Sequence, residues 1–135
     1  MGAAENKEIV RRALDGSGGP NALVEALAPD VRWTIFGRTK FSGTWHSPQE
    51  LREKLWGPLF ELIETPGSMT IDLLLADGDH VVCQFHTEGR FAQGHQPYDQ
   101  FYCAVFRMEN GKIVESDEYM DTQLIDHAFG AVARS

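Results

Sequence analysis

The sequence predicts an α+β domain in which helices come first and a run of antiparallel strands follows. Three observations carry this prediction. Residues 5–27 hold two apolar stripes at helical spacing, separated by Gly16-Ser17-Gly18-Gly19. Ser47-Pro48-Gln49-Glu50 combines a capping box with proline at the first helical position, which opens a third helix. From Met69 to Met120, β-branched and aromatic runs alternate with the turn signals Asp77-Gly78-Asp79 and Glu109-Asn110-Gly111.

The first helix is expected over Glu5–Asp15, where Ile9, Val10, Ala13 and Leu14 share a face. A short second helix starts at Pro20, buries Leu23, Val24 and Leu27, and stops before Pro29. Asp30 leads into a strand, Val31 to Phe36, that Gly37 breaks. Phe41 to His46 is a short extended piece before the third helix. That helix turns Leu51, Leu55, Leu59, Leu62 and Ile63 inward, is interrupted at Pro58 and ends before Pro66-Gly67. Strands are then expected over Met69–Ala76 and His80–Phe91, with a loop around Ala92 to Gln96. A hairpin follows, Tyr98–Met108 and Lys112–Met120. Thr122 to Phe129 forms a terminal helical turn with Asp121 as its cap.

A chain of 135 residues makes one domain with a single core, and 42% hydrophobic with 24% charged residues is an ordinary globular composition. The net charge of −8 and the scattered basic residues argue against nucleic acid, which requires a concentrated basic surface. No apolar run approaches a membrane span and the N-terminus lacks a secretory signal, so a cytoplasmic location is expected. Cys83 and Cys103 fall in strands and read as buried free thiols. With no histidine at ligand spacing, they form no metal motif, and neither metal nor cofactor is expected.

The hairpin carries a wider likeness. Pro97-Tyr98, the strand Tyr102-x-x-Val105-Phe106-Arg107, the exit Gly111-Lys112-Ile113 and the closing Glu118-Tyr119-Met120-Asp121 resemble the SnoaL-like branch of the nuclear transport factor 2-like superfamily. That superfamily also contains ketosteroid isomerase and limonene epoxide hydrolase. With the helical pair in front, the resemblance covers almost all of a single SnoaL-like domain, 1–135. It implies a cystatin-like arrangement: a cone-shaped, curved antiparallel sheet packed on the N-terminal helices around a pocket, and a homodimer formed through the outer sheet face.

If the cone exists, strand alternation sorts side chains between its inside and outside. The inward set is then Val114, Ser116, Glu118 and Met120 on the last strand and Gln100, Tyr102 and Ala104 on its partner. Cys83, Phe85, Thr87 and Gly89 follow on the strand before, with Trp33 and Ile35 on the first. A bulge would flip any of these phases. The set is apolar with few polar members, which suits a hydrophobic small molecule. Glu118 is the candidate base or acid, its pKa raised by burial, or else a structural hydrogen-bonding carboxylate. Tyr102 is a candidate donor to a developing enolate oxygen, and Gln100 orients the substrate. Asp121 is a second candidate base, competing with a role as helix cap. Trp33, Phe85, Thr87, Ser116, Trp56, Phe60 and His46 complete the candidate substrate-binding set, with core as the alternative reading of Trp33, Trp56 and Phe60.

By the same resemblance, limonene epoxide hydrolase has an arginine and an aspartate where this chain has Phe85 and Thr87. Its water-positioning tyrosine and asparagine correspond to Trp33 and Ile35. Ketosteroid isomerase has an acidic donor where Ala104 stands. The expected activity is therefore cofactor-independent acid–base chemistry of isomerase, aldol cyclase or dehydratase type on a hydrophobic, carbonyl-bearing molecule. The alternatives are a non-catalytic small-molecule binder and a dimeric protein-interaction domain.

Overall fold

The computed structural model describes residues 1–132. Helices α1 (Ala3–Asp15) and α2 (Ala22–Ala26) lead into β1 (Leu27–Ile35) and β2 (Gly43–Trp45). A third helix, α3, occupies residues 48–61, followed by β3 (Ile63–Thr65), β4 (Ser68–Asp77) and β5 (His80–Glu88). Two short strands, β6 (Phe91–Ala92) and β7 (Gln96–Pro97), precede the long hairpin of β8 (Phe101–Glu109) and β9 (Lys112–Met120), and α4 (Thr122–Phe129) closes the chain.

Six strands form one sheet in the order β2-β1-β9-β8-β5-β4, and β3-β6-β7 form a small second sheet. The large sheet is mixed where the sequence suggested antiparallel pairing throughout, because β1 runs parallel to β9. Helix α1 lies over β4 and β5, burying Val10 and Leu14 in the core against Val81, Cys83 and Phe106. Register shifts in β4 between Ile71 and Leu73, and between β8 and β9 at Arg107/Met108, bend the sheet around this core.

The second helix is shorter than its apolar pattern predicts, since Leu27 and Ala28 already belong to β1. Pro29 sits inside that strand, in the irregular stretch between the pairs Leu27↔Ile113 and Arg32↔Glu115, where no ladder bond requires its missing N–H. In α3, Ser47 Oγ accepts from the Glu50 amide at 3.0 Å, while the Glu50 carboxylate reaches back to the His46 amide. Pro58 does not break this helix. Residues Leu51–Trp56 widen into a π-turn, with Gly57 N–H donating to Arg52 O, and this accommodates the proline ring within a continuous helix. Leu62, expected inward, is 37% exposed beyond the helix end, and Ile63 begins β3.

The strand expected to run to Phe91 stops at Glu88, and the one expected from Tyr98 starts at Phe101. Gly89, at φ +71°, turns the chain out of β5. Cys83 faces the core and pairs with Ala104, whereas Cys103 pairs with Gln84 on the opposite face, so the two thiols remain free. Burial pushes the Cys83 thiol up to about 12, which makes it a poor nucleophile. Among the described residues no helix is long and apolar enough to cross a membrane.

Candidate active site

Sheet and helices leave a cavity of about 150 Å³ between them. Its sheet side is Trp33 and Ile35 from β1, Phe85 from β5, Tyr102 and Phe106 from β8, and Glu118 and Met120 from β9. Leu55, Trp56, Leu59 and Phe60 of α3 form the facing wall, with Leu14 of α1 and Leu23 of α2 beside them. Trp33 meets Trp56 edge-on at 5.5 Å, and Phe85 stacks on Tyr102 at 4.6 Å. Phe60 stands at the mouth, 56% exposed. On the α4 side, Phe129 packs edge-on against both Tyr98 and Phe41.

Among the described residues Glu118 is the one carboxylate in this lining. Strand alternation carries it inward beside Ser116, opposite Ala104 on β8 and Ile35 on β1, and leaves it 9% exposed. Burial among apolar side chains raises its pKa to about 7. The Trp33 indole N–H points to Glu118 closely enough to favour its charged form against that burial.

Across the cavity, burial also holds both Tyr98 and Tyr102 above the ordinary phenol range, so each stays a neutral O–H donor. Tyr98 is 2% exposed, and its hydroxyl accepts from Gln100 Nε2 at 3.5 Å. Arg90 donates from Nη1 to the Tyr102 hydroxyl at 3.5 Å and from Nε to Pro66 O at 2.8 Å. The glycine turn that ends β5 turns this arginine into the cavity. Gly67 makes the close approach possible, because a Cβ there would meet Glu88 O at 2.3 Å and Arg90 N at 2.8 Å.

Of the residues proposed from sequence, Glu118, Tyr102, Trp33, Phe85, Trp56 and Phe60 line the cavity together. The others stand elsewhere. Gln100, fully buried, spends its amide on the backbone: Oε1 accepts from Phe101 N and Asp121 N, and Nε2 donates to Asp121 O, each at 2.9 Å. Thr87 Oγ accepts from Gln100 N at 2.9 Å, tying β5 to the start of β8. Asp121 lies outside the cavity, exposed, and its Oδ1 accepts from Leu124 N as the cap of α4. Ser116 is inward but buried beneath the lining, and His46 stays at the surface before α3. Val114 is displaced by the β8–β9 bulge, so Ile113 takes the core position.

Arg90 was missed because unbroken alternation through residue 91 assigns it to the outer face. The Gly89-Arg90 pair directly after an inward Thr87 was the available signal. Tyr98 was placed at a strand end; its burial depends on Phe129 of α4, which strand pattern alone does not bring near.

The outer sheet face carries a different surface. Phe101, Leu75, Leu73 and Tyr119 are exposed there, with Phe36 stacked on Tyr119 at 4.8 Å. His86 is held between Asp72 and Glu88 at 2.7 and 2.8 Å, and these carboxylates raise its pKa. Arg32 bridges Glu115 and Asp117 on the same face.

A curved sheet closed by N-terminal helices over one apolar cavity is the nuclear transport factor 2-like class of α+β fold. The SnoaL-like domain family matches residues 10–116, and the chain belongs to that family. Solved structures agree in fold. A nuclear transport factor 2-like protein from Burkholderia thailandensis is 23% identical with a TM-score of 0.79, covering 95% of this chain and 98% of its own. A putative isomerase from Bacillus subtilis is 16% identical with a TM-score of 0.78, covering 97% of both chains. A hypothetical protein of ketosteroid isomerase-like fold from Catenulispora acidiphila, solved in complex with trimethylamine, is 20% identical with a TM-score of 0.70, covering 93% of this chain and 94% of its own. Comparison with curated proteins finds no match.

Proposed function

We propose that the protein is a cofactor-independent acid–base enzyme acting on a small, largely apolar carbonyl compound. The observation that carries this reading is the polar inventory of the cavity. Among the described residues its one carboxylate, Glu118, has a pKa raised to about 7, and it shares a largely apolar lining with the hydroxyls of Tyr102 and Tyr98, the Trp33 indole and the Arg90 side chain. One proton acceptor among several donors suits a ligand that gives up a C–H proton while its oxygen gains charge.

In this reading ionised Glu118 removes the proton beside the carbonyl, and the electron pair moves onto the oxygen as an enolate. Tyr102 donates its O–H to that oxygen, and Trp33 offers a second donor. Return of the proton from Glu118 to another carbon completes an isomerisation; attack of the enolate carbon on a second carbonyl, whose oxygen takes the proton back from Glu118, gives an aldol closure, and departure of a β-hydroxyl as water with that proton gives dehydration. A cavity of about 150 Å³ matches a single ring, since a dry cavity of roughly that size holds benzene.

The test is proton exchange. Wild-type protein in D₂O should accelerate deuterium incorporation beside the carbonyl of small cyclic enones, followed by NMR, and Glu118→Gln should abolish the acceleration. Full exchange activity in Glu118→Gln would remove the proposed base.

We also infer that two copies associate through the outer sheet face, on the support of its exposed Phe101, Leu75 and Tyr119. A hydrophobic small molecule inside and a second copy outside are then the two partners.

A further inference from the structure

We propose that Arg90 is an anion-binding group of this cavity and that the ligand carries a carboxylate on its small apolar body. The inference rests on the reading of this cavity as the reaction site and adds the ligand's charge to it.

The two arginines on strands of the large sheet are satisfied by carboxylates: Arg32 by Glu115 and Asp117, Arg107 by Glu109 and Glu115. Arg90 has no ion-pair partner among the described residues, although it lines the cavity. Asp99 beside it is engaged by the Arg90 backbone N–H at 2.8 Å rather than by the guanidinium. Nε is committed to Pro66 O, which fixes the plane of the group, and Nη1 makes only the long contact to Tyr102 at 3.5 Å. The Nη1–Nη2 edge is therefore held in place without an anion, and that planar edge matches the two oxygens of a carboxylate.

The surroundings decide for an anion. The lining that Arg90 shares is mostly apolar and aromatic, Met69, Phe85, Tyr98 and Tyr102 among it, and a carboxylate brought there without a cation would lose its hydration uncompensated. Glu118 does not neutralise Arg90 while it stays protonated, which its raised pKa favours below about 7. Arg90 Nη1 lies 3.5 Å from the Tyr102 hydroxyl, and Tyr98 and Glu118 share the cavity lining with them. A ligand with its carboxylate on Arg90 and its carbonyl at Tyr102 would present the carbon between them toward Glu118.

The experiment compares benzoate with benzamide, equal in size and different in charge, by calorimetric titration of the full chain at about pH 6, where benzoate is ionised and Glu118 mostly neutral. Wild-type protein should bind benzoate roughly tenfold more tightly than benzamide. Arg90→Met should bind the two equally, Arg90→Lys should keep part of the preference, and Glu118→Gln should keep all of it. Benzoate bound no better than benzamide by the wild type, no benzoate binding at millimolar concentration, or a folded Arg90→Met that keeps the preference would each overturn the proposal. If the preference survives in Glu118→Gln while that variant retains full exchange activity, the acid–base reading fails and the carboxylate subsite stands.

Discussion

Nη1 of Arg90 lies 3.5 Å from the hydroxyl of Tyr102, so a permanent positive charge faces the phenol proposed to steady the reacting oxygen. Tyr102→Phe removes the hydroxyl while keeping the ring that stacks on Phe85 at 4.6 Å. Turnover should fall about 100-fold with KM nearly unchanged, the pattern of a donor used chiefly in the transition state. Thermal melting of the variant should match wild type. A proportionate rise in KM with kcat intact would instead make Tyr102 a binding group.

Glu118 also writes a pH dependence into stability. Its pKa in the fold is about 7 against an ordinary 4.5, so between those values the folded protein holds a proton that the unfolded chain has released. This contribution is fully present below about pH 4.5, is lost as pH rises, and levels off above about 7. The gap corresponds to about 3 kcal/mol. Urea unfolding at pH 5 and pH 8 should show wild type losing far more stability than Glu118→Gln between the two. Equal losses would mean that the carboxyl is not held protonated by burial.

Much of this site was legible in sequence, and the failures share a cause. Period-2 alternation put Glu118, Tyr102, Phe85 and Trp33 on one face, which holds because β5, β8 and β9 are regular at those positions. Alternation gives a side chain's face and not its depth. Thr87, Gln100 and Ser116 share the inward face yet lie outside the cavity lining, two of them spent on backbone groups that no local pattern reveals. Wherever a bulge or a left-handed glycine interrupts the period, as at Val114 and Arg90, the face itself changes. The parallel pairing of β1 with β9 is a long-range property and left no mark in either strand.

Gln100 and Asp121 separate structure from catalysis. Gln100→Leu would leave Phe101 N–H and both backbone groups of Asp121 without their partners, costing about 3 kcal/mol or more. Asp121→Ala loses one cap bond and should cost about 1 kcal/mol. Chemical denaturation measures both, and Asp121→Ala should retain wild-type exchange activity. A drop in its activity comparable to that of Glu118→Gln would return Asp121 to the catalytic group.

The outer face supplies the remaining prediction. Phe101 is 67% exposed and Leu75 55%, on strands β8 and β4 either side of β5, so the apolar surface spans several strands rather than one side chain. Exposed apolar area of this kind is stabilised by a partner, and two copies of one curved sheet bring the same patch to each other. Phe101→Glu with Leu75→Glu places like charges across such a contact and adds no strain to the monomer, since both side chains already reach solvent. Sedimentation equilibrium should give twice the 15.1 kDa chain mass for wild type and the single-chain mass for the double variant, with the far-ultraviolet spectrum unchanged. Wild type sedimenting as a single chain at micromolar concentration would count against self-association and leave the face to a different partner.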